Sequence, residues 1–329
     1  MSSVRFHLPG LRYNFPLNMI WVSLLKAHPE YFRDGVEVGS FFGCFPFALW
    51  NGGREIDPND QCDAGFITNT IKAINQAGIP VRYTFTNPLL TEEELGDEFC
   101  NFCLQAAAAS GFPNEVLVFS PLLEEYIRKE YPSLVINSTT CKELKTVDAL
   151  NEEMKKDYRY VVLDYNLNGN WEFIEQLKHP EKLEVLINAT CTPNCPRRGE
   201  HYREIARRQR IVLKNRKLPP ERRKPLPEWN CRYGIENTVY SIQSYPTVVK
   251  PDEIWEEYLP RGISNFKIEG RTGNLFNLVD TYCFYMARPE HADEVRFQIL
   301  RNLEQSGIIA VRRPRPQPFV SPDTGRHMS

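Results

Sequence analysis

Eight short runs of β-branched and apolar residues recur along the chain, each followed by a stretch of helical periodicity. They span residues 4–8, 36–40, 81–86, 116–120, 134–138, 160–164, 183–188 and 265–269. Between them the periodicity predicts helices over 19–27, 69–77, 92–109, 122–130, 144–155, 171–177 and 252–258, with two more at 275–286 and 292–305. Strands that are apolar on both faces and alternate with helices belong to a buried parallel sheet. Eight such units predict an α/β fold, a (β/α)8 TIM-type barrel with its chemistry at the C-terminal ends of the strands. A doubly wound open sheet is the alternative.

The interval 189–264 breaks the rhythm, being far longer than an ordinary strand-to-helix connection. Such an excursion at the top of a barrel predicts a lid or binding module. The expected organisation is a barrel domain over 1–288 that includes this Cys-rich, basic excursion. A C-terminal helix over 289–311 and a flexible Pro/Arg-rich tail over 312–329 follow.

With 42% hydrophobic and 25% charged residues, the composition excludes a largely disordered or fibrous chain. No basic segment leads into an unbroken apolar stretch at the start, and no run of about 18 apolar residues occurs, so neither a signal peptide nor a membrane span is expected. The expected location is cytoplasmic. Thiols stay reduced there, so clustered cysteines suggest metal or redox chemistry rather than disulfides.

The sharpest cluster is Cys191-Thr-Pro-Asn-Cys195, directly after the apolar run LEVLIN. A turn made by Pro193 and Asn194 can aim both thiolates at one metal. Cys231 lies in the same excursion, and Cys44 follows the second strand on the predicted catalytic rim. Four thiolates suit zinc or a four-iron four-sulfur cluster. Zinc favours two close Cys-x-x-Cys pairs, and only one approximate pair is present, so the expected cofactor is the iron–sulfur cluster on Cys44, Cys191, Cys195 and Cys231. Cys62 and Cys141 are substitutes for Cys44. Cys100, Cys103 and Cys283 sit on apolar helix faces and read as packing residues.

At 266–272 the chain reads FKIEGRT. This resembles a signature of the collagenase-like peptidases, family thirty-two among peptidases of unknown catalytic type. The LEVLINATC run into Pro-Asn-Cys, and the stretch beginning EWNCRYG, resemble further parts of that family. Resemblance implies a barrel that holds a four-iron four-sulfur cluster and hydroxylates ubiquinone precursors or RNA bases without oxygen, prephenate being the oxygen donor. It also implies two alternatives, a peptidase and a non-catalytic subunit of a heterodimer with a paralogue. Leu186 and Ala189 stand where the family usually has Phe and Gly, and the second Cys follows sooner.

Charge is segregated. From residue 197 to 224 twelve Lys and Arg face three Glu, giving this segment about +9 in a chain whose net charge is −2. That predicts an anionic partner, RNA or a small anionic substrate, with Tyr202 and Trp229 as stacking surfaces. Lys267, Glu269 and Arg271 alternate on the eighth strand and therefore point the same way. Lys267 and Arg271 are expected to bind a carboxylate, with Glu269 or Glu37 orienting it. Asn137 and Asp164 are further lumen candidates, and His201 is the only histidine of the excursion. No phosphate-binding glycine loop and no HExxH motif are present.

Overall fold

The structure is a computed structural model and describes residues 3–54, 60–229, 238–270 and 274–310. Eight parallel strands close into a barrel in sequence order. They are β1 (Val4–Pro9), β2 (Val36–Gly43), β3 (Val81–Phe85), β4 (Glu115–Val118), β5 (Val135–Ser138), β6 (Val161–Val162), β7 (Leu183–Leu186) and β8 (Asn265–Lys267). Closure excludes the open sheet, because Arg5, Phe6 and His7 align with Asn265, Phe266 and Lys267.

Helices α1 (Phe15–Ala27), α2 (Ala64–Gln76), α3 (Glu98–Ala109), α4 (Pro121–Glu130), α5 (Val147–Met154) and α6 (Trp171–Ile174) connect the strands up to β7. The excursion contributes α7 (Arg198–Arg216) and returns through α8 (Pro251–Glu253), which runs on as a π-helical turn over Ile254–Tyr258. After β8 come α9 (Leu275–Met286) and α10 (Ala292–Gln305). Val295, Ile299 and Leu303 of α10 join the same core as the barrel. No described helix is long and apolar enough to cross a membrane.

The strand period of two sorts side chains into two sets. Val4, Phe6 and Leu8 point outward into the helix layer and are fully buried, and Phe6 meets Phe266 at 6.0 Å. His7, between them, points into the lumen, where Ser40 bonds it. Local chemistry moves several predicted edges. The helix expected over 92–109 breaks at Gly96, and Asp97 starts α3 afresh by accepting the Cys100 N–H at 2.8 Å. Strand β2 runs three residues past its predicted end, to Gly43. The tail 312–329 lies outside the described residues.

Candidate functional site

Two layers fill the lumen. The lower one is polar: Ser40, Arg82, Glu115, Glu184 and Asn265, all buried, with His7 from β1. Two residues further along each strand, the same face carries Phe42, Thr84, Leu117, Leu186 and Lys267, which floor a cavity of about 980 Å³. That cavity opens at the C-terminal ends of the strands, where barrel enzymes carry their sites.

Arg82 organises the polar layer. Its Nε donates to Glu115 Oε2 at 2.5 Å, and its Nη1 pairs with Glu184 across the lumen. Asn137 Nδ2 and Arg159 Nη1 each donate to Glu115 at 3.0 Å. His7 Nδ1 lies 2.8 Å from Ser40 Oγ, while Nε2 stands 3.3 Å from Glu184 without the alignment of a hydrogen bond. Burial, with the Arg82 charge adding to it, pushes the His7 imidazole down to about 3, so it is neutral at neutral pH. Burial alone would raise Glu184, but the surrounding cations, Arg82 foremost, outweigh it and hold the carboxyl at about 2.

Lys267 is the cation at the top of this network. Its Nζ reaches Glu184 Oε1 at 3.5 Å and stands 4.3 Å from the Phe42 ring centroid. The contact is long against the about 2.7–2.9 Å of a close charge-assisted bond, and 12% of the side chain stays open. Glu269, two residues on, lies in the cavity wall and pairs with Arg54. It also accepts the Thr190 N–H at 2.9 Å, while Asn188 brackets its backbone at 2.6 and 3.1 Å. Glu269 thus ties the end of β7 to the end of β8. Arg271 lies outside the described residues.

Glu37 is not brought to this cavity. It stands at the start of β2, at the opposite mouth of the barrel, half-exposed and 3.5 Å from Arg5. Periodicity put it on a lumen-facing strand without telling which mouth it occupies. Asn137 is in the polar layer as expected, whereas Asp164 is claimed by Arg198, the buried first residue of α7.

Cys191 lies in the cavity wall, packed against Tyr165, Leu186 and Ala189, and Cys141 lines the wall as well. The turn carrying Cys195 is of the expected kind: Asn194 is left-handed, at φ 53°, and its N–H donates to Asn166 Oδ1 at 2.7 Å. Cys44 sits behind the wall, buried, 3.3 Å from Thr84 Oγ1. Among the described residues no three His, Cys, Asp or Glu side chains form a metal-holding group. Cys231 lies outside those residues. Of the four expected thiolates the described residues include three, Cys44, Cys191 and Cys195, and these do not form such a group. Burial pushes the Cys62 thiol up to about 11 and raises Cys100 and Cys103 well above the ordinary value, so these thiols are protonated at neutral pH.

Helix α7 roofs the cavity with His201 and Tyr202. Its inner side is latched to the β2–β3 side of the barrel. Gln209 bonds the Ala48 carbonyl, Arg210 meets Glu94 at 2.6 Å, and the Arg216 guanidinium covers Phe47 at 4.0 Å. Its outer side carries Arg203, Arg207, Lys214 and Lys217, all exposed and spaced as one helical stripe. Trp229 is already engaged, stacked on His201 at 5.1 Å with Arg197 4.2 Å from its centroid, and Tyr202 turns into the cavity. Neither ring is an outward stacking surface.

Sequence reasoning passed over Arg82, Glu115 and His7 and treated Glu184 only as part of a signature. Their signal was a charged or ionisable residue inside an apolar run: V-R-Y, E-V-L, F-H-L and L-E-V. No protein-family model matches this chain, and no curated protein matches it. Among solved structures it is similar to one described as a U32 peptidase, with 14% identity, a TM-score of 0.47 and coverage of 82% of this chain and 94% of that one.

Proposed function

We propose that the protein is a barrel enzyme that holds a carboxylate-bearing polar substrate over Lys267, with hydrolysis of short peptides as its reaction. The observation that carries this is the Lys267 ammonium at the cavity floor, above a Glu184 that its cations keep ionised against the effect of burial. A compact cation in a partly dry pocket suits a carboxylate as a point-charge partner. The Thr86 and Thr140 hydroxyls in the same cavity wall suit the amide groups of a peptide. Cys191 and His201, both in the wall, are the thiol and imidazole we assign to act on a scissile carbonyl.

Cleavage of short peptides, followed by mass spectrometry, tests this against the same peptides with amidated C-termini. Lys267→Met is expected to lower kcat/KM for the free acids by about 10- to 100-fold, the value of a hydrogen bond to a charged group. The amidated peptides should be poor substrates of both proteins. Equal handling of acid and amide by the wild type would overturn the reading.

A second reading, cluster-dependent hydroxylation of RNA, is supported by the outward cationic stripe of α7. It requires anaerobically purified protein to carry about four irons with visible absorption. It also requires RNA affinity that falls with salt, with a slope about three smaller for the triple variant Arg203→Glu, Arg207→Glu, Lys214→Glu. Metal-free protein that ignores RNA would remove this reading and leave the first.

A further inference from the structure

The outer part of the cavity has a different character from its floor. Among the described residues four large hydrophobic side chains are exposed: Tyr240, Phe276, Phe297 and Ile308. Two of them, Tyr240 at 53% and Phe276 at 51% exposure, are in the wall of this cavity. Tyr240 is anchored. Tyr240 meets the Phe284 ring edge-on, with centroids 6.3 Å apart, and its hydroxyl is 3.4 Å from Arg296. Arg296 is itself anchored to Asp280 at 2.7 Å. The neighbouring Val239 N–H donates to Asn277 of α9 at 3.0 Å, fixing this segment against the helix.

Phe276 stands in the first turn of α9, its N–H capped by Asn274 at 2.8 Å. The helical period puts it in line with Val279, Cys283 and Met286, which are buried in the core. That apolar ridge therefore runs one turn beyond the packed core, and its last side chain ends in the cavity wall. A ring anchored at its edge and another carried on a capped helix turn, both left uncovered, are suited to take up an apolar group.

We propose that the substrate is amphiphilic, with its carboxylate at Lys267 and an aromatic or bulky apolar group seated between Phe276 and Tyr240. This rests on the carboxylate reading above and adds the feature that would select among carboxylates. For a peptide, it specifies an apolar side chain lying upstream of the terminal carboxylate. The two rings act as specificity determinants and touch no reacting atom.

The test is titration of the full chain with acetate and with a series of ω-phenylalkanoates of increasing chain length, read by calorimetry or ligand-observed NMR. At one chain length the ring should improve affinity over acetate by about tenfold or more. The double variant Phe276→Ser, Tyr240→Ser should lose that gain and bind acetate within about twofold of the wild type. Both side chains are more than half exposed, so the substitutions leave the core packing alone. A ring that adds nothing at any length, or a gain that survives the double variant, overturns the inference and leaves the carboxylate reading standing. Acetate binding untouched by Lys267→Met overturns the carboxylate reading itself.

Discussion

Replacing Arg82 by methionine is expected to cost about 3–5 kcal/mol of folding free energy, against a total of about 5–15 for a typical domain. The guanidinium is fully buried and bonds two carboxylates that are themselves buried, Glu115 and Glu184. Methionine fills the space but leaves both anions short of their principal partner. Lys267 at 3.5 Å and Arg159 at 3.0 Å remain, which keeps the loss finite. A triple variant that adds Glu115→Gln and Glu184→Gln should recover part of the loss, because the damage lies in the stranded charge rather than in the missing bonds. Urea unfolding of the three proteins measures this. An Arg82→Met midpoint equal to that of the wild type would mean that the layer contributes nothing.

Stability should also fall on mild acidification, before most carboxylates take up protons. In the unfolded chain His7 binds its proton near the ordinary 6.5, whereas in the barrel it does so only at about 3. Between those values the unfolded state carries more protons, so lowering the pH favours it, by about 1.4 kcal/mol for each unit. Glu184 acts in the same direction over a lower window, from its ordinary 4.5 down to about 2, as the unfolded carboxyl protonates first. By about pH 4 the histidine alone removes roughly 3 kcal/mol. His7→Gln cannot titrate, so its urea midpoint should be nearly level from neutral pH down to about 5, where the wild type is already declining. A wild-type midpoint that is flat over that interval would remove His7 as the cause.

The barrel was legible because its evidence is local. A strand that turns one face to the helices must be apolar at alternate positions, and runs such as VRFHLP show it within six residues. The same period put Lys267 and Glu269 on one face, and both line the cavity. What could not be read was anything that depends on which residues meet. Arg82 and Glu184 are 102 positions apart, and neither run hints at the other. Glu37 was misjudged because alternation tells in from out and not one mouth from the other. The basic segment reads in sequence as one cationic patch for an anionic partner, yet Arg198, Arg210 and Arg216 are spent holding α7 to the barrel. A helix divides its cations by face, and only its partners decide which face is dry.

The bond between β3 and β7 has a consequence for how the chain can be made. The first four strands bring Arg82 and Glu115 together but lack Glu184, so a half-barrel would enclose a guanidinium with only part of its counter-charge. Burying that arrangement is unfavourable until the seventh strand arrives. A nascent chain emerging from the ribosome must therefore keep its early strands open to water until well past residue 184. Such a barrel does not assemble from two self-sufficient halves, and splitting it between β4 and β5 should give fragments that fold only in each other's company.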